Sequence, residues 1–140
     1  MNQQRNAHGH GILHGILASM LLLLPAVTVA DEEVPKSVFL VNEDDRVIAS
    51  NIQTGQFFEL DLQAKEKILK QFVANGVAVL VTNQRYVGIG IYPTGWKSLS
   101  RIAGEELVSA EVQDYAALVV TTDRILSFNG KIGSWSQTRR

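Results

Sequence analysis

Three arginines at a constant spacing of 39 residues are the first candidates for a functional site. Arg46, Arg85 and Arg124 close the segments LVNEDDR at 40–46, VLVTNQR at 79–85 and LVVTTDR at 118–124. A guanidinium binds a carboxylate or a phosphate through two parallel hydrogen bonds, so three of them on one side of a ring would form a collar for an anion. Alternatively, each arginine pairs with a carboxylate of the chain, for which Glu66 and Glu105 are candidates. We expect the pairing.

An aromatic residue follows each of these arginines at the same distance along the chain. The three residues are Phe57, Trp96 and Trp135. They could form a stacking platform for a sugar or another ligand, or they could be core residues. A buried tryptophan removes about 150–250 Å² from water, which is worth roughly 4–6 kcal/mol at about 25 cal/mol per Å². Because an aromatic residue stands in every copy of the pattern, we predict a core role.

Two acidic clusters are weaker candidates. The segment NEDD at 42–45 offers oxygen ligands for calcium, but it lacks the glycine-bearing spacing of an EF-hand loop, so a solvated turn is predicted. Glu105 and Glu106 could act as an acid/base pair only with a raised pKa in a cleft. We therefore expect them in a surface strand or turn.

Histidine and cysteine are missing from the segment that we expect to fold. The chain has no cysteine, and its three histidines, His8, His10 and His14, all lie in the first thirty residues. This excludes a histidine base, a cysteine nucleophile and a zinc site of the usual kind from residues 31–140. The formal net charge of −1, without a basic block, argues against nucleic acid. We predict no cofactor, no metal and no enzymatic activity.

The first thirty residues have the composition of a secretory signal peptide. An apolar stretch with four consecutive leucines, 21–24, is broken by Pro25, and small residues precede Asp31. An uncleaved anchor is the alternative, although the stretch is short for a membrane-spanning helix. We expect a protein exported to the periplasm, with no transmembrane segment after cleavage.

The spacing of 39 residues extends through the rest of the chain and predicts three repeats in one domain, 31–140. They cover about 38–76, 77–115 and 116–140, and residues 31–37 complete the last by closing a ring. The runs 77–81 and 116–120 are apolar and rich in β-branched residues, which is typical of strands buried on both faces. Residues 62–74 contain good helix formers, but the repeat favours a strand. The predicted fold is all-β, a closed radial array of β-hairpins that forms a shallow barrel or a propeller-like ring.

The repeated unit resembles that of exported bacterial proteins described as β-flowers. The resemblance covers 38–140 and rests on an apolar strand that ends in Thr-x-x-Arg, a second strand, and Gly or Ser before Trp. Phe57 replaces Trp in the first unit, and the acidic turn at 42–45 replaces the Thr-containing one. The resemblance implies a fold and no activity.

Three functions remain open from the sequence. The first is a binding module for a protein or for a small apolar or lipid-like ligand, which the apolar runs favour. The second is a structural envelope protein that self-associates, for example as a homodimer with six sheets, because propellers typically need four to eight. The third and weakest is a glycan hydrolase that uses two carboxylates across a groove.

Overall fold

Eleven β-strands in three antiparallel sheets make up the described part of the chain. The computed structural model describes residues 34–92 and 95–140, and the predicted signal peptide lies outside them. The strands are β1 (Val38–Asn42), β2 (Arg46–Asn51), β3 (Gln56–Asp61), β4 (Ile68–Val73), β5 (Val77–Thr82), β6 (Arg85–Gly90), β7 (Lys97–Ser100), β8 (Leu107–Gln113), β9 (Ala116–Thr121), β10 (Arg124–Asn129) and β11 (Ser134–Arg139). The all-β prediction is confirmed, and so is the strand in residues 62–74, where β4 lies.

The strands follow one another within each sheet in chain order. The first sheet is β1-β2-β3, the second is β4-β5-β6-β7 and the third is β8-β9-β10-β11. The described residues do not form a closed barrel, so the predicted closed ring is not seen in this chain. The third sheet takes its fourth strand from β8, and residues 34–37, the described part of the segment predicted to complete it, are not in a strand.

Threonines at the ends of β5 and β9 build the turns to the next strands. The hydroxyl of Thr82 accepts a hydrogen bond from the Arg85 N–H at 2.9 Å and donates one to the Arg85 carbonyl at 3.0 Å. Thr121 accepts the same bond from the Arg124 N–H at 2.9 Å, and its hydroxyl proton goes to Oε1 of Glu105 at 2.7 Å, with the Arg124 carbonyl 3.1 Å away. A hydroxyl that satisfies the local backbone in this way stabilises a tight turn. Each turn places its arginine at the first position of the returning strand.

The second sheet lies between the other two, and its central strands β5 and β6 are buried on both faces, whereas β4 and β7 at its edges are largely exposed. One face packs against the third sheet in a cluster that includes Val79, Val119 and Phe128. The other face packs against the first sheet through Leu80, Val87 and their neighbours. All six residues of β5 are buried, as the sequence predicts.

The matching prediction for β9 is wrong. Its burial alternates, and Ala116 and Leu118 are exposed while Ala117 and Val119 are buried. The third sheet has only one covered face among the described residues, so a strand with an apolar run on both faces buries one of them.

Glycines allow the second and third sheets to approach closely. A side chain on Gly88 would meet the ring of Phe128 at 2.8 Å, and one on Gly90 would clash with the backbone of Gly130. Contact between two backbones leaves no room for flexible adjustment. These positions therefore hold the hairpins of the two sheets in register.

Candidate functional site

Arg124 forms a buried ion pair at the corner between the second and third sheets. Its Nε donates to Oε1 of Glu105 at 2.9 Å and its Nη2 donates to Oε2 at 2.7 Å. Only 9% of the Arg124 side chain and none of the Glu105 side chain is exposed. Nη2 also donates to the carbonyl of Ser100, at the end of β7, at 3.1 Å. The arginine therefore links its own sheet to the preceding one.

Arg85 makes the corresponding contacts between the first and second sheets. Its Nε and Nη2 donate to the two carboxylate oxygens of Glu66 at 2.8 and 3.0 Å, and Nη2 also donates to the carbonyl of Asp61 at 2.9 Å. All three residues stand 39 positions before their counterparts around Arg124. The predicted pairing of these arginines with Glu66 and Glu105 is confirmed, whereas the predicted surface location of Glu105 is wrong because that carboxylate is buried.

Both carboxylates are held in the ionised form. Burial raises the pKa of Glu105, but hydrogen bonds from Arg124, the Ile102 N–H and Thr121 outweigh it and lower that pKa to about 2. Burial likewise raises the pKa of Glu66, and the bonds from Arg85, the Gln63 N–H and Thr82 lower it overall. A general acid needs a raised pKa. Neither carboxylate has the chemistry of a general acid at neutral pH.

Arg46 occupies the same position in the first sheet but is only half-buried. It pairs with Glu43 at 2.5 Å and with Glu59 at 3.2 Å, and 38% of its side chain is exposed. The position 39 residues before Glu66 is Val27, so this arginine has no corresponding carboxylate. The pKa of Arg46 is raised, first by its hydrogen bond to Glu43 and then by the charges of Glu43 and Glu59.

Trp96 and Trp135 link neighbouring sheets through their indole N–H groups. Trp96 donates to the carbonyl of Phe58 in the first sheet at 3.0 Å, and Trp135 donates to the carbonyl of Lys97 in the second at 2.9 Å. Trp135 also packs on Phe128, with 4.9 Å between ring centroids. Both indoles are half-buried in contacts between sheets, and their bonded N–H groups leave them little freedom to act as a ligand platform.

Phe57, the aromatic residue of the first sheet, lies on an uncovered apolar face. Phe57 is 71% exposed and Val41 is 56% exposed, and Phe39 and Ile48 lie on the same side of the sheet. We name this surface, formed by Phe39, Val41, Ile48 and Phe57, the first outer face. The residues 39 positions later, among them Ala78, Leu80 and Val87, are fully buried against the first sheet. The first outer face is thus the counterpart of an internal packing surface.

The third sheet has an uncovered face as well. It carries Leu118, which is 43% exposed, together with the half-buried Val120 and Ile125 on paired positions of β9 and β10. We name these residues the third outer face. Their counterparts in the second sheet include Val79 and Val81, which are buried. Both ends of the series of sheets therefore expose a surface that the second sheet buries.

The depressions of the surface differ in lining: those beside the C-terminal arginines are mostly polar, whereas those beside Leu118 and Tyr115 are mostly apolar. One of about 390 Å³ lies beside Arg124, Arg139 and Arg140, and another of about 340 Å³ lies beside Glu111, Gln113 and Leu118. In residues 34–92 and 95–140, no group of three acidic or histidine side chains could hold a metal ion. The same residues include no helix of the length and apolarity needed to cross a membrane.

Phe39 and Val41 were missed as candidates by sequence reasoning. The available signal was the run VFLV at 38–41, in which the apolar residues that alternate with Val38 and Leu40 must point to the opposite face. Such a run indicates two apolar faces but does not say whether both are covered. The arginines and aromatics were found because they recur at a fixed spacing.

Comparisons with known proteins give no family for this chain. No family model and no curated protein matches the sequence. Among solved structures, the N-terminal domain of Nup159 is similar, with 13% identity and a TM-score of 0.43 over 74% of this chain and 28% of that one. The extracellular domain of a one-component system from B. thetaiotaomicron is also similar, with 13% identity and a TM-score of 0.41 over 75% of this chain and 16% of that one. The chain thus spans less than a third of the length of each.

Proposed function

We propose that this protein is a non-catalytic interaction module that binds a protein partner through the first outer face. The proposal rests on the exposure of Val41 and Phe57 on a sheet face that also carries Phe39 and Ile48, with Ser50 between Phe39 and Phe57 and Glu59 beside Ile48. Contiguous exposed apolar residues on a protein surface mark interaction sites. In this view the three sheets are copies of one unit, and the first copy presents outward the surface that the second uses for internal packing.

A protein suits this surface better than a small apolar or lipid-like ligand. Apolar runs such as residues 77–81 favoured a lipid-like ligand, but the side chains of this run are buried between sheets. What remains exposed is a sheet face rather than a deep apolar cavity, and small-ligand sites are typically concave and apolar. A partner that lays its own apolar surface on Phe57 and Val41 matches this geometry.

The buried carboxylates support a role other than catalysis. Glu66 and Glu105 each accept two hydrogen bonds from an arginine, and the pKa of each is lowered. A glycan hydrolase needs one carboxylic acid that stays protonated near neutral pH. These residues act instead as links between sheets.

We place this module in the periplasm because residues 1–30 have the composition of a signal peptide. Sequencing of the N-terminus of protein recovered from the exported fraction tests this placement. A mature chain that begins at Asp31 is expected. A chain that retains Met1 in the cytoplasm would contradict it.

Site-specific photocross-linking tests the interaction itself. A photoreactive amino acid at Phe57 in the full chain should form protein adducts when the producing cells are irradiated. The matched control is the same amino acid at Leu69, which is 51% exposed but lies in β4 at the edge of the second sheet, away from the first outer face. If position 57 forms no more protein adduct than position 69, the first outer face is not an interaction site.

A further inference from the structure

We propose that the partner is a second copy of this chain, and that the first outer face of one copy packs against the third outer face of the other. This inference rests on the proposed function and names its partner. Two such contacts, related by a two-fold axis, would join two chains into a head-to-tail dimer of six sheets. That number lies within the four to eight sheets of typical propellers.

The two internal contacts between sheets provide the template. Leu40 of the first sheet and Leu80 of the second belong to one cluster, and Val79 of the second and Val119 of the third belong to another. The second pair stands 39 positions after the first. A further step of 39 positions leads from Val79 to Leu118. The residue opposite Leu118 should then be the counterpart of Leu80 and Val119 in the other copy, which is Val41.

The two outer faces are the two unmatched halves of this same contact. Leu118 is the counterpart of Val79, which contacts the third sheet, and Val41 is the counterpart of Leu80, which contacts the first. Each is exposed in the single chain. When each sheet packs on the next in the same way, these two surfaces meet, and Val41 and Leu118 of the two copies are removed from water together.

Charge at the rim is complementary in the same arrangement. At the corners within one chain, Nη2 of Arg85 donates to the Asp61 carbonyl at the end of β3 at 2.9 Å, and Nη2 of Arg124 donates to the Ser100 carbonyl at the end of β7 at 3.1 Å. The corresponding contact between copies would bring Arg46, whose ion-pair partner Glu43 belongs to the exposed acidic turn 43–45, to the end of β11, where Arg139 is exposed. The dimer would place acidic turns beside arginines, which favours this orientation and speeds association.

Phe57 gives this contact a property that the internal contacts lack. Trp96 and Trp135 donate hydrogen bonds to carbonyls of the preceding sheet, whereas phenylalanine has no N–H group. Phe57 can pack against the backbone near Ser136 of the other copy but cannot donate to it. The contact between copies is therefore weaker than a contact within one chain, and the dimer should dissociate on dilution.

Sedimentation velocity with a pair of charge substitutions tests the proposal. Val41→Asp alters the first outer face and Leu118→Lys alters the third. Each variant alone should shift the full chain from dimer to monomer, because each disrupts both contacts. An equimolar mixture of the two variants should regain the dimer. In a mixed dimer, one contact pairs the Asp of one copy with the Lys of the other, and the second contact consists of two unaltered faces. Leu69→Ser is the control and should remain a dimer.

The outcomes separate this inference from the proposed function. A monomeric wild type at high concentration, dimers that persist in either single variant, or a mixture that stays monomeric would each overturn the second copy as partner. A ladder of larger oligomers would overturn the closed pair.

If adducts from position 57 contain a different protein, the proposed function survives and this inference fails. If position 57 gives no adduct, both fail. Circular dichroism of each variant verifies that it is folded.

Discussion

The corner around Arg124 and the corner around Arg46 occupy the same position in two sheets but have different environments. Arg124 is buried against Glu105 and reaches the preceding sheet, whereas Arg46 is only half-buried and pairs only with Glu43 and Glu59 of its own sheet. The aromatic residues differ in the same way, because Trp135 is bonded to the second sheet and Phe57 is in solvent. A repeated residue is an anchor only where a neighbouring sheet covers it.

The largest expected difference between the two corners comes from removal of a carboxylate charge. Glu105→Gln leaves the buried guanidinium of Arg124 without its counter-charge, and loss of one partner of a buried ion pair costs about 3–5 kcal/mol of unfolding free energy. Urea denaturation measures this loss. Glu59→Gln is the control at the exposed pair, and its unfolding midpoint should match that of the wild type. Equal midpoints for the two variants would remove the distinction between the corners.

The aromatic residues should show the next largest contrast. Trp135→Ala removes contacts with Phe128 and the hydrogen bond to Lys97, and we expect a loss of about 3 kcal/mol, the low end for tryptophan because the indole is half-buried. Phe57→Ala should not lower the stability of the monomer. Thermal unfolding of both variants at a concentration where the protein is monomeric provides the comparison. A midpoint for Trp135→Ala equal to that of wild type would return this residue to the role of a ligand platform.

Acid should weaken the Arg124 corner within a defined range of pH. The pKa of Glu105 is lower in the folded protein, about 2, than the ordinary value of 4.5, so its stabilisation is complete above about pH 4.5 and is lost as the pH falls towards 2. At pH 3 the loss should be about 2 kcal/mol. The unfolding free energies of wild type and Glu105→Gln, measured with urea at about unit intervals between pH 6 and pH 3, should therefore become more similar as the pH falls. A constant gap between them would mean that the carboxylate does not titrate in this range.

The smallest measurable effect concerns a single hydrogen bond. Trp96→Phe keeps an aromatic ring between the first two sheets but removes the N–H that donates to the Phe58 carbonyl. We expect a loss of about 1 kcal/mol in unfolding free energy. The reverse substitution, Phe57→Trp, should leave the monomer unchanged and strengthen the dimer by a similar amount. No change in dimer dissociation would argue against a contact at that position.

The sequence predicts what is local and what recurs. The apolar run of β5, the threonine turns before Arg85 and Arg124, and the pairing of those arginines with Glu66 and Glu105 all follow from residue type and spacing. Burial of β9 on one face could not be predicted, because its apolar run is like that of β5 and only the position of neighbouring sheets distinguishes the two. The closed ring was inferred from the spacing alone, which does not specify whether a chain or a second copy completes it.

Exposure of the first outer face depends on the same non-local information. Phe39, Val41 and Phe57 have the residue types of core positions, and their counterparts in the second sheet are core residues or link sheets. Local propensity cannot identify them as surface residues. Their functional interest lies in this mismatch between residue type and environment.

Native mass spectrometry of the protein purified from cells that express the full chain tests most directly whether a protein covers the first outer face. We expect a species of twice the mass of one chain, without a lipid-sized adduct, which dissociates on dilution and becomes a single chain after Val41→Asp. A single chain that carries a lipid-sized adduct, lost on the same substitution, would contradict it and identify this face as a site for a small apolar ligand.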